Sequence, residues 1–214
     1  MEFELNLTAD RAVVRESLKG VLWCIFFHRL FGPIAPSSHE FMGVTYPVAS
    51  NLPDVDSLFD QKIDQLIKKD FGSADSLRQP KVGQLLISFH KNPSKIKKKS
   101  SWFGHLKDDV SQETTVWESW RINVNCRPVP PESLSADTSS VHDRGVQSSR
   151  QSFEETLMTI YGKMDASKDH IPPITTLDVS PFPYEIEIDP KSPKKPPPPP
   201  DDESWGNYIK KMLD

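Results

Sequence analysis

Residues 2–8, EFELNLT, set Phe3, Leu5 and Leu7 against Glu2, Glu4 and Asn6. A period of two sends alternate side chains to opposite faces, so the segment predicts a half-buried strand. The pattern then changes. Thr8 or Asp10 can cap a helix in which apolar residues recur at Val14, Leu18, Val21, Leu22 and Ile25, with Trp23, Cys24, Phe26 and Phe27 on the remaining faces. This helix is predicted to run to about Phe31, to stop at Gly32-Pro33 and to be buried nearly all round.

Residues 41–50 hold a weak strand signal broken by Pro47. A second helix follows from Asp54 or Asp56, with Val55, Leu58, Phe59, Ile63, Leu66 and Ile67 on its apolar face. Lys68 and Lys69 near its end suit the helix dipole, and Gly72 is its stop. VGQLLISFH (82–90) and VWESWRINVNC (116–126) both alternate, the first with Leu85, Ile87 and Phe89 inward, the second with Trp120, Ile122, Val124 and Cys126 inward. They are expected to be antiparallel neighbours joined by the loop 92–114.

After an irregular Ser-rich stretch, 129–150, SFEE reads as a capping box at Ser152. Phe153, Leu157, Ile160, Tyr161 and Met164 then form a helical stripe over 152–164. PYEIEID (183–189) predicts a last strand. PKSPKKPPPPPDDE reads as an extended spacer, with a ligand for a proline-binding domain as the other reading. Trp205, Tyr208, Ile209 and Met212 share one face of a final short helix, too short to hold alone in water, which must therefore dock.

Composition narrows this reading. The 214 residues carry 20 prolines, 36% hydrophobic residues and a net charge of -4, which fits one globular domain with irregular attachments. Glu2, Glu4 and Asp10 precede the first apolar run, unlike the basic start of a secretory signal. The longest apolar run, VLWCIFF (21–27), falls far short of the ~20 residues that span a bilayer. Cys24 and Cys126 offer no disulfide framework, favour a reducing cytoplasmic setting and read as buried small side chains. Histidines 28, 39, 90, 105, 142 and 170 fall into no metal-ligating spacing, and no nucleophile or phosphate-binding motif is present. No enzyme, cofactor or metal is expected, and His28 reads as a hydrogen-bonded core residue.

The loop KIKKKSSWFGH differs in kind. Lys95, Lys97, Lys98, Lys99 and Lys107 surround Trp102 and Phe103, against the sign of the whole chain. The lysines alone fit a solvated hairpin loop, and the aromatic pair could fold back onto the core. Exposed, the pair would serve binding: to a protein groove, or to an anionic membrane surface through the lysines and an interfacial tryptophan. Nucleic acid is not expected as a partner, since the rest of the chain has no basic stripe.

The order of elements, strand, buried helix, weak strands, helix, hairpin, helix, strand, resembles a HORMA domain. The stretches VLWCIFFHRLFG, SSWFGH, VWESWRINVNC, FEETLMTIYGKMDASKDHIPPI and FPYEIEI, in that order, resemble the autophagy-related protein 101 family over roughly residues 10–190. The resemblance implies an α+β fold with an antiparallel sheet backed by three main helices. The HORMA domain would be 1–190, with 191–203 a Pro-rich linker and 204–214 a C-terminal docking helix. It also implies a non-catalytic adaptor of the autophagy-initiating kinase complex, cytoplasmic and at the phagophore assembly site. Such an adaptor pairs with and stabilises the HORMA domain of autophagy-related protein 13 and recruits downstream factors through an aromatic finger, here Trp102 and Phe103. Animal members carry a proline between the two aromatics, and this chain has none. By the same resemblance the pairing surface lies on the outer face of the 152–164 helix, at Glu154, Glu155, Met158, Thr159 and Lys163.

Overall fold

The computed structural model describes residues 1–73, 79–91, 115–128, 138–174 and 182–190, with the backbone alone for 138–144. Among the described residues nine elements follow in order: β1 Glu2–Asp10, α1 Val14–Phe27, β2 Pro36–Phe41, β3 Val44–Ala49, α2 Pro53–Asp70, β4 Lys81–His90, β5 Val116–Arg127, α3 Thr138–Ala166 and β6 Tyr184–Ile188. Strands β1, β5, β4 and β6 form one sheet in that spatial order, and β2 and β3 pair as a separate hairpin. Met42 and Gly43 turn that hairpin with φ of 52° and 71°, the left-handed pair that a tight two-residue turn requires.

Alternation along the strands decides which face is dry. Phe3, Leu5, Leu7 and Ala9 of β1 lie opposite Trp120, Ile122, Val124 and Cys126 of β5. Leu85, Ile87 and Phe89 of β4 extend the same buried layer. The other face carries Glu2, Glu4, Arg121, Asn123 and Gln84, tied by side-chain hydrogen bonds of 2.6–3.0 Å. Helix α1 lies in the core, with Leu18, Val21, Leu22, Cys24, Ile25 and Phe26 fully enclosed. At Gly20 an added Cβ would stand 2.6 Å from the buried Phe153 ring, so glycine is what lets α3 close on α1.

Four expectations change. The sheet is mixed, because β1 runs parallel to β5; periodicity fixes which face a residue takes but carries no sign of strand direction. β1 extends to Asp10, so neither Thr8 nor Asp10 caps α1, which starts at Val14 without a side-chain cap and ends at Phe27 rather than Phe31. β2, PSSHEF, is exposed along most of its length and has no alternating pattern to find.

The fourth concerns α3, which begins at Thr138, within the stretch 129–150 expected to be irregular. Polar bonds hold its early turns. Arg127 binds Asp10 and also reaches Ser148, Ser149 and the Gly145 carbonyl. Ser152 is therefore interior to the helix, and its hydroxyl accepts from the Thr8 amide at 2.9 Å. The Ser149 hydroxyl accepts from the Asp10 amide, and Thr156 donates to the Asn6 carbonyl. A row of hydroxyls on α3 thus satisfies the free edge of β1, the backbone groups that would otherwise invite another strand.

Candidate functional site at the base of the lysine-rich loop

The loop between β4 and β5 springs from a closed stem. The ladder shifts register between Phe89 and His90, the Lys91 amide donates to the Thr115 carbonyl at 2.9 Å, and the His90 amide donates to the Pro183 carbonyl at 2.8 Å. Trp102, Phe103 and Lys95, Lys97, Lys98, Lys99 and Lys107 lie outside the described residues, as do the Pro-rich linker and residues 204–214. What the structure shows is the platform beneath that loop.

Glu118, two residues into the returning strand, has no solvent exposure. Arg29, just beyond the end of α1, meets it as a fork, Nε to Oε1 and Nη2 to Oε2, both at 2.7 Å. Trp120 Nε1 donates to Oε1 at 2.5 Å, and His170 Nε2 donates to Oε2 at 2.7 Å. An ionised carboxylate has about four lone-pair sites, and four donors occupy them. Glu118 therefore has no capacity left to act as a general base. Around the cluster, the Arg29 guanidinium carbon lies 5.9 Å from the Trp117 ring centroid, and Trp117 packs at 5.0–5.6 Å on Phe182 and His170. The arrangement ties α1, β5 and the segment after α3 together below the loop stem.

Nucleophilic chemistry has little to work with. Burial pushes the Cys24 thiol up to about 12, against a bond from Tyr161 that acts in the other direction. Burial likewise pushes Cys126 up to about 11. Each thiol therefore keeps its proton at neutral pH, and the thiolate is the reactive species. His28 Nδ1 lies 2.7 Å from the Cys24 carbonyl oxygen and donates to it, a bond within the last turn of α1. Among the described residues no three His, Cys, Asp or Glu side chains gather as metal ligands would.

The outer face of α3 is open. Glu154, Glu155, Met158 and Thr159 are exposed there, Met158 at 62%. Glu155 is held by Gln151 at 2.9 Å. Lys163 differs from the other four: it is half-buried, with its ammonium 5.4 Å from the Phe3 ring centroid, at the margin where α3 meets β1.

Residues 6–178 match the family described as Autophagy-related protein 101. A relative from Arabidopsis thaliana, also described as Autophagy-related protein 101, is 33% identical over 200 residues, spanning 87% of this chain and 86% of its own. The chain belongs to the autophagy-related protein 101 family. It is therefore an autophagy-related protein, and the family match encloses Arg29, Glu118, His170, the lysine-rich loop and all of α3. No described helix is long and apolar enough to cross a membrane.

The Arg29, Glu118 and His170 cluster was not singled out from the sequence, yet part of it had a signal. Glu118 shares the parity of Trp120, Ile122 and Val124, so the period of two turns it inward, and an inward carboxylate requires a buried partner. Nothing in sequence distance pairs it with Arg29 or His170.

Proposed function

We propose that this chain is a non-catalytic adaptor of the HORMA type within the autophagy-initiating kinase complex, working in the cytoplasm and at the phagophore assembly site. It pairs with the HORMA domain of autophagy-related protein 13 and recruits downstream autophagy factors through Trp102 and Phe103. The observation that carries this reading is family membership across residues 6–178, a span that includes both aromatics. The buried, fully bonded Glu118 and the protonated thiols support a binding role over a catalytic one. The open face of α3 at Glu154, Glu155, Met158 and Thr159 offers the pairing surface, with Lys163 at its margin.

Co-expression with the HORMA domain of autophagy-related protein 13 tests the pairing. A complex of one copy of each, seen by size-exclusion chromatography with light scattering, is the expected result, and two proteins eluting separately would overturn it. A second reading rests on the five lysines that gather around Trp102 in an otherwise acidic chain. In it the loop lies on an anionic membrane, and binding to acidic vesicles falls as salt rises. Flotation with phosphatidylserine vesicles separates the two: absence of binding removes the membrane reading and leaves the adaptor untouched.

A further inference from the structure

A concavity bordered by α1, the β2–β3 hairpin and α2 has no part in the site above. It encloses about 400 Å³ between α1, the β2–β3 hairpin and the start of α2, within the ~300–1,000 Å³ usual for ligand pockets. Trp23, Tyr46, Val48, Leu52 and Pro53 give it an apolar floor. Beside it runs an acidic band. Lys19 sits between Asp56 and Asp60 at 2.9 and 3.0 Å, Trp23 Nε1 donates to Asp56 at 3.0 Å, and Arg15 meets Asp60 and Asp64. With Glu16 also in the lining, carboxylates outnumber the cations that meet them.

We propose that this groove receives the chain's own C-terminal segment, 204–214, with Trp205, Tyr208, Ile209 and Met212 as the inserted face. These positions stand at i, i+3, i+4 and i+7, the spacing by which an amphipathic helix fills an apolar groove. The path is set by where the described chain leaves off. Asp189, just after β6, is bound by Lys69 at the end of α2, at 2.6 Å, whereas at the start of β6 the Tyr184 hydroxyl is pushed up by burial and by the charge of Asp54 at the beginning of α2. The chain thus leaves from the far end of α2 and must travel back along it. An 18-residue helix at ~1.5 Å per residue spans ~27 Å, and the linker 191–203 covers ~40 Å at ~3.1 Å per residue in the polyproline conformation. Charge does not choose the occupant, since Lys191, Lys194 and Lys195 are matched in the linker by Asp201, Asp202 and Glu203; reach and the spacing of the apolar face do. The segment would cover Val48, Leu52 and Pro53, which are left partly or fully exposed, and hold the hairpin against α2.

The test uses the full chain, with benzoylphenylalanine placed at Tyr208 for photocrosslinking. The expected product has the mass of one chain and joins residue 208 to the β2–β3 hairpin or to the first turns of α2. A product between two chains, one to the loop 92–114, one to another face, or no product overturns the proposal. Amide hydrogen exchange gives an independent readout, with ~5-fold slower exchange expected over the hairpin and residues 53–57 in the wild type than in Trp205→Ala/Tyr208→Ala. Equal rates in the two proteins would also overturn it. Neither result depends on the adaptor reading, which the pairing experiment tests separately.

Discussion

Helices α1 and α3 lie on the same protein interior, touch each other at Gly20 and Phe153, and are held by different physics. α1 is enclosed by apolar side chains on nearly every face, and its end is fixed by one buried ion pair, Arg29 to Glu118. α3 buries only a stripe, Phe153, Leu157, Ile160 and Met164, is tied to β1 by three hydroxyls, and leaves its outer face to solvent. The difference assigns roles. A helix enclosed on nearly every face has little surface to offer another protein, whereas a helix held along one side keeps a full face for binding without loss of its own stability.

The comparison breaks most severely at the ion pair. Glu118→Gln removes the charge that compensates a buried guanidinium, and a loss of about 3–5 kcal/mol in urea unfolding is expected. Retained stability would mean that the cluster is not what fixes the end of α1. Gly20→Ala strikes the seam between the helices. Helix propensity favours alanine by ~1 kcal/mol, but overpacking against the enclosed Phe153 ring costs about 1–3 kcal/mol, so a net destabilisation is expected by the same measurement. Ser152→Ala leaves the Thr8 amide without its acceptor and should cost about 1 kcal/mol, with faster hydrogen exchange confined to β1. Met158→Glu sharpens the contrast from the other side. On an exposed face its effect on stability should stay within ~0.5 kcal/mol, while complex formation with the HORMA domain of autophagy-related protein 13 is lost in a pull-down. An undiminished pull-down would place the pairing surface elsewhere.

These helices also mark how far the sequence could be read. α1 was legible because its apolar density leaves no other solution, and β1, β4 and β5 were legible because Phe3, Leu85 and Trp120 begin clean alternations. The first turns of α3 were not, since residues 138–151 carry no stripe, and 145–149 are held by Arg127 and by the edge of a strand more than a hundred residues earlier. The parallel pairing of β1 with β5 escaped for a similar reason: facing is periodic in sequence, and direction is not. Of the site, the inward parity of Glu118 was visible and its partners were not, because an ion pair spanning 89 residues leaves no local trace.

The account turns on the proposal that Trp102 and Phe103 serve a partner and not the interior, which Glu118, Trp117 and Phe182 fill near the stem of their loop. The most direct measurement is urea unfolding of the full chain carrying Trp102→Ala and Phe103→Ala. Rings that serve a partner predict a midpoint unchanged to within ~0.5 kcal/mol of stability. A loss of ~3 kcal/mol or more, the scale of a buried aromatic pair removed from a core, would contradict the account and leave the adaptor without its finger.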